Sequence, residues 1–122
     1  MQIPIVNDND EIIEFKEKAD APAKVITMCG SVRFINEIKF HAARLELVGN
    51  CVLSIVELPK KDNDYTPAEY DMLGNMHKQK IEMSDAIFVV NVDNYIGNSV
   101  RSEVEYAKSL GKEIVYLESP TE

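Results

Sequence analysis

Between Lys24 and Leu117 the chain alternates short, unbroken apolar runs with longer stretches in which apolar residues recur every three or four positions. The runs are Lys24 to Cys29 (KVITMC), Cys51 to Val56 (CVLSIV), Ala86 to Val92 (AIFVVNV) and Glu113 to Leu117 (EIVYL). Continuous β-prone runs of this length describe strands covered on both faces. Helical periodicity fills the gaps. It spans Arg33 to Val48, closed by Gly49, then a stretch opened by Thr66-Pro67 that runs to about Met83, then Ser99 to Leu110, closed by Gly111. Pro59 to Thr66 is charged and aperiodic and reads as a loop. Residues 1 to 23 stand apart. Asn7 to Asp10 is a polar, turn-prone cluster, the pattern predicts a short helix over Asp10 to Ala19, and Ala21-Pro22-Ala23 breaks it.

Strands alternating with helices imply right-handed βαβ units, and so an α/β, three-layer sandwich around a short parallel sheet of about four to five strands. With 122 residues there is room for one domain. It is expected over residues 24–122, with 1–23 as an N-terminal extension packed on it. In such sheets ligands bind outside the carboxyl ends of the strands, which directs attention to the loops Cys29 to Arg33 and Asn91 to Ser99.

Composition narrows the partners. The chain has 21 acidic and 13 basic residues, a formal net charge of -8, and no basic stripe. Such a surface repels phosphate backbones and anionic lipids, so neither a nucleic-acid nor a membrane partner is expected. No apolar run approaches the length of a spanning helix, and Met1 to Asp10 lacks a signal-peptide pattern. The two cysteines, Cys29 and Cys51, both fall in apolar runs without CxxC spacing. They read as buried small hydrophobes in a reducing, cytoplasmic compartment, with no zinc or redox chemistry indicated.

Three places carry candidate chemistry. Gly30-Ser31-Val32-Arg33 follows the first strand of the regular region. Glycine admits close backbone approach, the helix start offers N–H groups to an anion, and Ser31 and Arg33 add a hydroxyl and a guanidinium fork. The same residues also serve a plain turn with Ser31 as N-cap. In the helix opening at Ser99, a wheel of 100° per residue places Val100, Val104, Ala107 and Leu110 inward. Arg101, Glu105, Lys108 and Ser109 fall on the wet face. Glu103 lies between Ala107 and Leu110, an inward carboxylate in what this helix start makes the first turn. It is suited either to nucleophilic catalysis or to a rim position turned to water or paired with Arg33. On the Pro67 to Met83 helix, Tyr70, Leu73, His77 and Ile81 face inward, and Met72, Met76 and Met83 widen the stripe. His77 fits a hydrogen-bonded core residue as well as a catalyst. Asn91 has no evident structural duty in its apolar strand and is a candidate ligand contact. Asp93 either contacts ligand or shapes its loop, and Tyr95 and Tyr106 are within reach of the site or simply pack.

Together these segments resemble the nucleoside 2-deoxyribosyltransferase superfamily, including its 2-deoxynucleoside 5-phosphate N-hydrolase branch, over roughly Lys24 to Leu117. Cys29-Gly30-Ser31-Val32-Arg33 is similar to the hydrolase branch's glycine-serine-isoleucine-arginine phosphate loop. Ser84-Asp85-Ala86-Ile87-Phe88-Val89-Val90 is similar to the alanine-aspartate start of the family's third core strand. Ser102-Glu103-Val104-Glu105-Tyr106-Ala107 resembles the glutamate-x-glycine-tyrosine-alanine helix whose glutamate is the nucleophile, and Gly97 matches the glycine opening the preceding loop. Gly111-Lys112-Glu113-Ile114 resembles the glycine-lysine-proline lead into the next strand.

The resemblance implies a flavodoxin-like, Rossmann-like fold. It also implies passage of a 2-deoxyribosyl group to Glu103 with expulsion of the base, the sugar then going to water or a second base. Ser31 and Arg33 would clamp a phosphate, with Gly30, Asn91, Asp93, Gly97, Ser99 and Tyr106 lining the substrate. Two positions depart from the pattern. His77 stands where the family has a catalytic aspartate, eight residues before Asp85, and Glu105 stands where it has glycine. A histidine can donate a proton but cannot copy a carboxylate's hydrogen bonds.

The sequence therefore predicts an enzyme acting on the N-glycosidic bond of a (deoxy)nucleoside or its 5-phosphate. Glu103 is the nucleophile, His77 the acid or sugar contact, and no metal or cofactor takes part. The alternative is a non-catalytic nucleotide-binding module that senses or sequesters its ligand. Phe40, Ala43 and Leu47 form a second apolar stripe on the first long helix, away from Phe34, Ile38 and Leu45, and predict a homodimer or higher homo-oligomer.

Overall fold

The computed structural model describes residues 2–6, 12–17, 23–61 and 64–120. Two sheets form among them. The smaller is an antiparallel pair, β1 (Gln2–Val6) and β2 (Ile12–Glu17), with Gln2 opposite Glu17 and a register shift between Ile5 and Val6. This corrects the helix expected over Asp10 to Ala19. Short sequences rich in β-branched residues, as at Ile12-Ile13, take the strand when a partner strand is at hand, and local periodicity does not see that partner. Residues 7–11 and 18–22, which include the ends of that expected helix, lie outside the described residues.

The larger sheet has four parallel strands in the order β4-β3-β5-β6: β3 (Val25–Cys29), β4 (Cys51–Leu53), β5 (Ala86–Val89) and β6 (Glu113–Tyr116). Three helices connect them: α1 (Ile35–Leu47), α2 (Pro67–Met83) and α3 (Asn98–Ser109). Ile26 pairs with both Val52 and Ala86, and Ala86 with Glu113. The chain first steps outward from β3 to β4, then crosses back over β3 to β5. Right-handed crossovers in opposite directions put α1 on one face of the sheet and α2 and α3 on the other. This is the three-layer α/β arrangement the alternation predicts, and it is flavodoxin-like and Rossmann-like, as the resemblance implies.

Both interior strands feed two cores. Ile26 and Met28 of β3, with Ala86 and Phe88 of β5, pack toward Ile38 of α1. Cys29, Ile87 and Val89 pack toward Ile81 of α2 and Val100, Val104 and Ala107 of α3. Double-sided burial explains why these strands read as unbroken apolar runs. Thr27, fully buried on the α2 side, satisfies its hydroxyl by donating to the Lys80 carbonyl at 2.9 Å.

The helix ends follow local chemistry. Thr66 caps α2, its side chain accepting from the Glu69 N–H at 3.1 Å while the Glu69 carboxylate accepts from the Thr66 N–H at 2.8 Å. This is a complete capping box with Pro67 in the first turn. At the other end of α2 the Ser84 hydroxyl donates to the Ile81 carbonyl at 2.8 Å, and Asp85 accepts the Val25 N–H at 2.9 Å, anchoring the start of β3. Gly49 and Gly111 follow α1 and α3 at φ 97° and 71°, where a side chain is strained.

Several elements are shorter than the apolar pattern predicts. β4 ends at Leu53, and the chain leaves the sheet, with Val56 65% exposed. Among the described residues β4 is an edge strand paired with β3 alone, and no second neighbour there prolongs it. β5 ends at Val89, and Val92–Asn94 coils into a 3-10 turn; Val32–Phe34 does the same ahead of α1. Cys51 is exposed rather than buried, again because it sits on the edge. Cys29 is fully buried, and burial first, then the nearby Glu103 carboxylate, pushes its thiol well above the ordinary range. A charged thiol reagent at neutral pH should therefore modify Cys51 rapidly in the native protein and Cys29 only on unfolding. Cys51→Ser should abolish the fast phase, and two fast equivalents in the wild type would contradict this burial.

No helix among the described residues is long and apolar enough to cross a membrane.

Candidate functional site

The sheet reverses its winding direction between β3 and β5, so their carboxyl ends form the crevice where doubly wound folds take ligands. Three segments meet there: the turn after β3, the turn after β5, and the facing flanks of α2 and α3.

Gly30 follows β3 where the backbone is crowded from within. A Cβ here would lie 3.2 Å from Ile38 Cδ1 and 3.3 Å from both Val90 Cβ and the Val90 carbonyl oxygen. The glycine thus lets α1 close onto β5. Ser31 takes the N-cap position of the following turn, its hydroxyl oxygen accepting the Arg33 N–H at 3.3 Å. Its own O–H is left to donate. The Arg33 guanidinium is exposed and lies 4.1 Å above the Tyr95 ring, within cation–π range, and Phe34 meets the same ring edge-on at 5.9 Å. Tyr95 therefore ties the two loops together. Gly97 is the N-cap of α3 and offers no side chain to its first turn. The Tyr95 hydroxyl would lie 3.3 Å from a Cβ at Gly97. Arg33 is thereby carried toward an uncapped helix start, a combination able to hold an anion. Ser99, in the first turn of α3, is exposed.

Asn91 differs from its expected role. It is fully buried, and its amide clamps the segment after β6: Nδ2 donates to the Glu118 carbonyl and Oδ1 accepts the Glu118 N–H, each at 2.9 Å. Nδ2 also reaches Asn94 Oδ1 at 3.2 Å. Asn91 thus has the structural duty that its place in an apolar run concealed. Asp93 shapes the loop, at φ 54°, and its N–H donates to the Glu118 carboxylate at 2.8 Å. The Tyr106 hydroxyl donates to Glu82, so this ring ties α3 to α2.

Glu103 points inward as the helical wheel predicts, with its side chain 22% exposed. It does not lie in the first turn: α3 begins at Asn98, which puts Glu103 in the second, where the helix dipole acts less on it. Its partner is His77 rather than Arg33. Glu103 Oε1 stands 3.3 Å from His77 Nε2, whose side chain is 13% exposed. The same Nε2 is 3.4 Å from Cys29 Sγ at the end of β3. Carboxylate, imidazole and thiol thus form one cluster, with all three donor atoms within 4.8 Å of one another. The sequence identifies Glu103 and His77 singly, and it misses Cys29 altogether. Its run marks it as core, and only the return of α2 across the sheet brings His77, 48 residues away, onto it.

The rest of the α2 pattern divides differently from expectation. Ile81 is buried and Leu73 half-buried, but Tyr70 is 38% exposed, and Met72, Met76 and Met83 are 57%, 45% and 57% exposed. The methionines form a flank stripe facing solvent and do not line the crevice. α2 covers only the narrow space above β3, and that holds one stripe of side chains. A groove of about 310 Å³ on the far flank of α3, lined by Ile96, Arg101, Glu105, Lys108 and Tyr116 among others, includes none of the clustered residues.

No protein-family model matches this sequence, and no curated protein matches it.

Proposed function

We propose that the protein cleaves, or transfers across, the N-glycosidic bond of a deoxynucleoside or its 5′-phosphate, with Glu103 as nucleophile. The observation that supports this most is the inward Glu103 carboxylate held 3.3 Å from a histidine at the edge of the β3/β5 crevice. The motif resemblance over Lys24 to Leu117 points the same way.

Without substrate the two groups are paired, and the nucleoside enters between them. The Glu103 carboxylate attacks C1′, forming a C–O ester bond as the C1′–N bond breaks. The base leaves with the bonding electron pair and takes a proton from the protonated His77 imidazole, so it departs neutral. Water, or a second base, then attacks C1′, returns Glu103 to its carboxylate and gives a proton back to His77. A 5′-phosphate meets the Arg33 guanidinium, the Ser31 hydroxyl and the open N–H groups at the start of α3.

The test is incubation with a panel of nucleosides and 5′-monophosphates, with free base followed by chromatography and the quenched protein weighed for a deoxyribosyl adduct on the peptide containing Glu103. Base release and that adduct are expected. A nucleotide that raises the melting temperature without any base release would instead make the protein a binding module. The exposed Phe40, Ala43 and Leu47 face of α1 is the proposed contact between copies. A monomer in sedimentation at micromolar concentration would overturn that assignment.

A further inference from the structure

The glycosidic reading gives Glu103 and His77 their tasks and leaves Cys29 with none, although its sulfur completes the cluster. The dimensions of that cluster are informative. A tetrahedral zinc ion with ligand bonds of about 2.3 Å to sulfur and roughly 2.0–2.1 Å to nitrogen or oxygen requires donor–donor edges of about 3.5 Å for S···N and about 3.4 Å for N···O. The corresponding distances in the structure are 3.4 Å from Cys29 Sγ to His77 Nε2 and 3.3 Å from Nε2 to Glu103 Oε1. Two edges of the coordination polyhedron are therefore present without rearrangement. The donor set is mixed: one thiolate, one imidazole, one carboxylate. Magnesium and calcium ask for oxygen throughout, whereas zinc and cobalt accept this combination. A thiolate and a carboxylate also balance a dication, so the occupied cluster carries no net charge into the core it borders. His77 and Glu103 keep 13% and 22% of their side chains exposed, which leaves a path for the ion and a fourth position for water.

We propose that Cys29, His77 and Glu103 are a three-ligand site for a zinc-like divalent cation, and that filling it switches the protein off. Binding forms the metal–sulfur, metal–nitrogen and metal–oxygen bonds and releases the thiol proton to solvent. The second half of the proposal rests on the glycosidic reading. The ion holds the carboxylate that must attack C1′ and the imidazole nitrogen that must deliver the proton.

The experiment adds cobalt(II) to metal-free full-length protein and follows the near-ultraviolet sulfur-to-metal charge-transfer band. One equivalent should saturate it, and zinc should bleach it by displacement. Cys29→Ser should lose the band, Cys51→Ser should keep it, and Glu103→Gln should weaken cobalt binding at least about tenfold. The zinc-induced rise in melting temperature should vanish in Cys29→Ser. A missing band at stoichiometric cobalt, or a band that survives Cys29→Ser, overturns the site. If the serine variant does not fold, Glu103→Gln with the Cys51→Ser control decides the same question. In turnover assays zinc should abolish base release by the wild type and inhibit Cys29→Ser only at concentrations at least about tenfold higher. A full band with turnover unaffected by zinc overturns the switch. A full band in a protein that releases no base from any nucleoside leaves the metal site standing and removes the glycosidic reading.

Discussion

Glu103→Ala should lower base release by at least about 10³-fold while leaving the melting temperature within a few degrees of the wild type. A factor of 10³ corresponds to ~4 kcal/mol of transition-state stabilisation, the scale expected when a covalent nucleophile is removed and no neighbour replaces it. Among the described residues the remaining members of the cluster are His77 and Cys29, and neither offers a second carboxylate to C1′. The fold tolerates the change because Glu103 is half-buried and the three core side chains of α3, Val100, Val104 and Ala107, are untouched. His77 keeps its contact to Cys29 Sγ. Replacing the histidine has a different signature. His77→Asn should slow release of ordinary bases by about 10²-fold or more, yet barely affect nucleosides whose base is already cationic and leaves without a proton. Steady-state rates across such a leaving-group series separate the two roles. Turnover of Glu103→Ala at wild-type rates would remove the nucleophile assignment.

The second large effect is on stability. Asn91→Leu should cost about 2–4 kcal/mol, because a side chain of similar volume leaves the half-buried Glu118 N–H and carbonyl without the partners they find on the fully buried Asn91 amide. For a domain of this size that amounts to a fall of roughly 8–16 °C in melting temperature, at about 4 °C per kcal/mol. Asn94→Gly provides the comparison. Asn94 sits at φ 60°, which glycine adopts without strain, and contributes one 3.2 Å contact to Asn91. Its loss should cost under about 1 kcal/mol. Thermal unfolding of both variants tests the point, and an Asn91→Leu protein within about 0.5 kcal/mol of wild type would refute the clamp. Since Asn91 Nδ2 and Oδ1 connect the loop after β5 to the segment after β6, the variant should also loosen the turn that carries Asp93 and Tyr95.

Legibility in the sequence followed the range of the forces involved. α2 was readable almost to the residue because its start is written locally: Thr66, Pro67 and Glu69 form a cap that needs no tertiary partner. β3 and β5 were readable because burial on both faces leaves an unbroken apolar run. The ends of β4, and the strand at Ile12–Glu17, were not, since each depends on which strand lies alongside, and no local residue names that strand. The same limit divides the site. A wheel turned Glu103 inward correctly, because position on a helix is periodic. It could not supply the partner, because the 3.3 Å approach of His77 depends on α2 and α3 packing side by side on one face. The loss of Met72, Met76 and Met83 to solvent has a related cause: hydrophobicity marks a stripe, but the width of the sheet beneath the helix decides how much of it is covered.

The two loops of the crevice hang from β3 and β5, among the described residues the only strands with neighbours on both sides. Their amides should be among the last to exchange with deuterated solvent, through global opening alone, while the turns at 30–34 and 92–97 exchange by local fluctuation. Ligand preference can therefore drift through those turns while the frame beneath them stays fixed. Cys29 belongs to both regimes, being the last paired residue of β3 and a wall of the cluster. An altered side chain there changes the chemistry and the most slowly opening part of the molecule together, so the sulfur is the position at which new specificity is hardest to acquire without loss of folding.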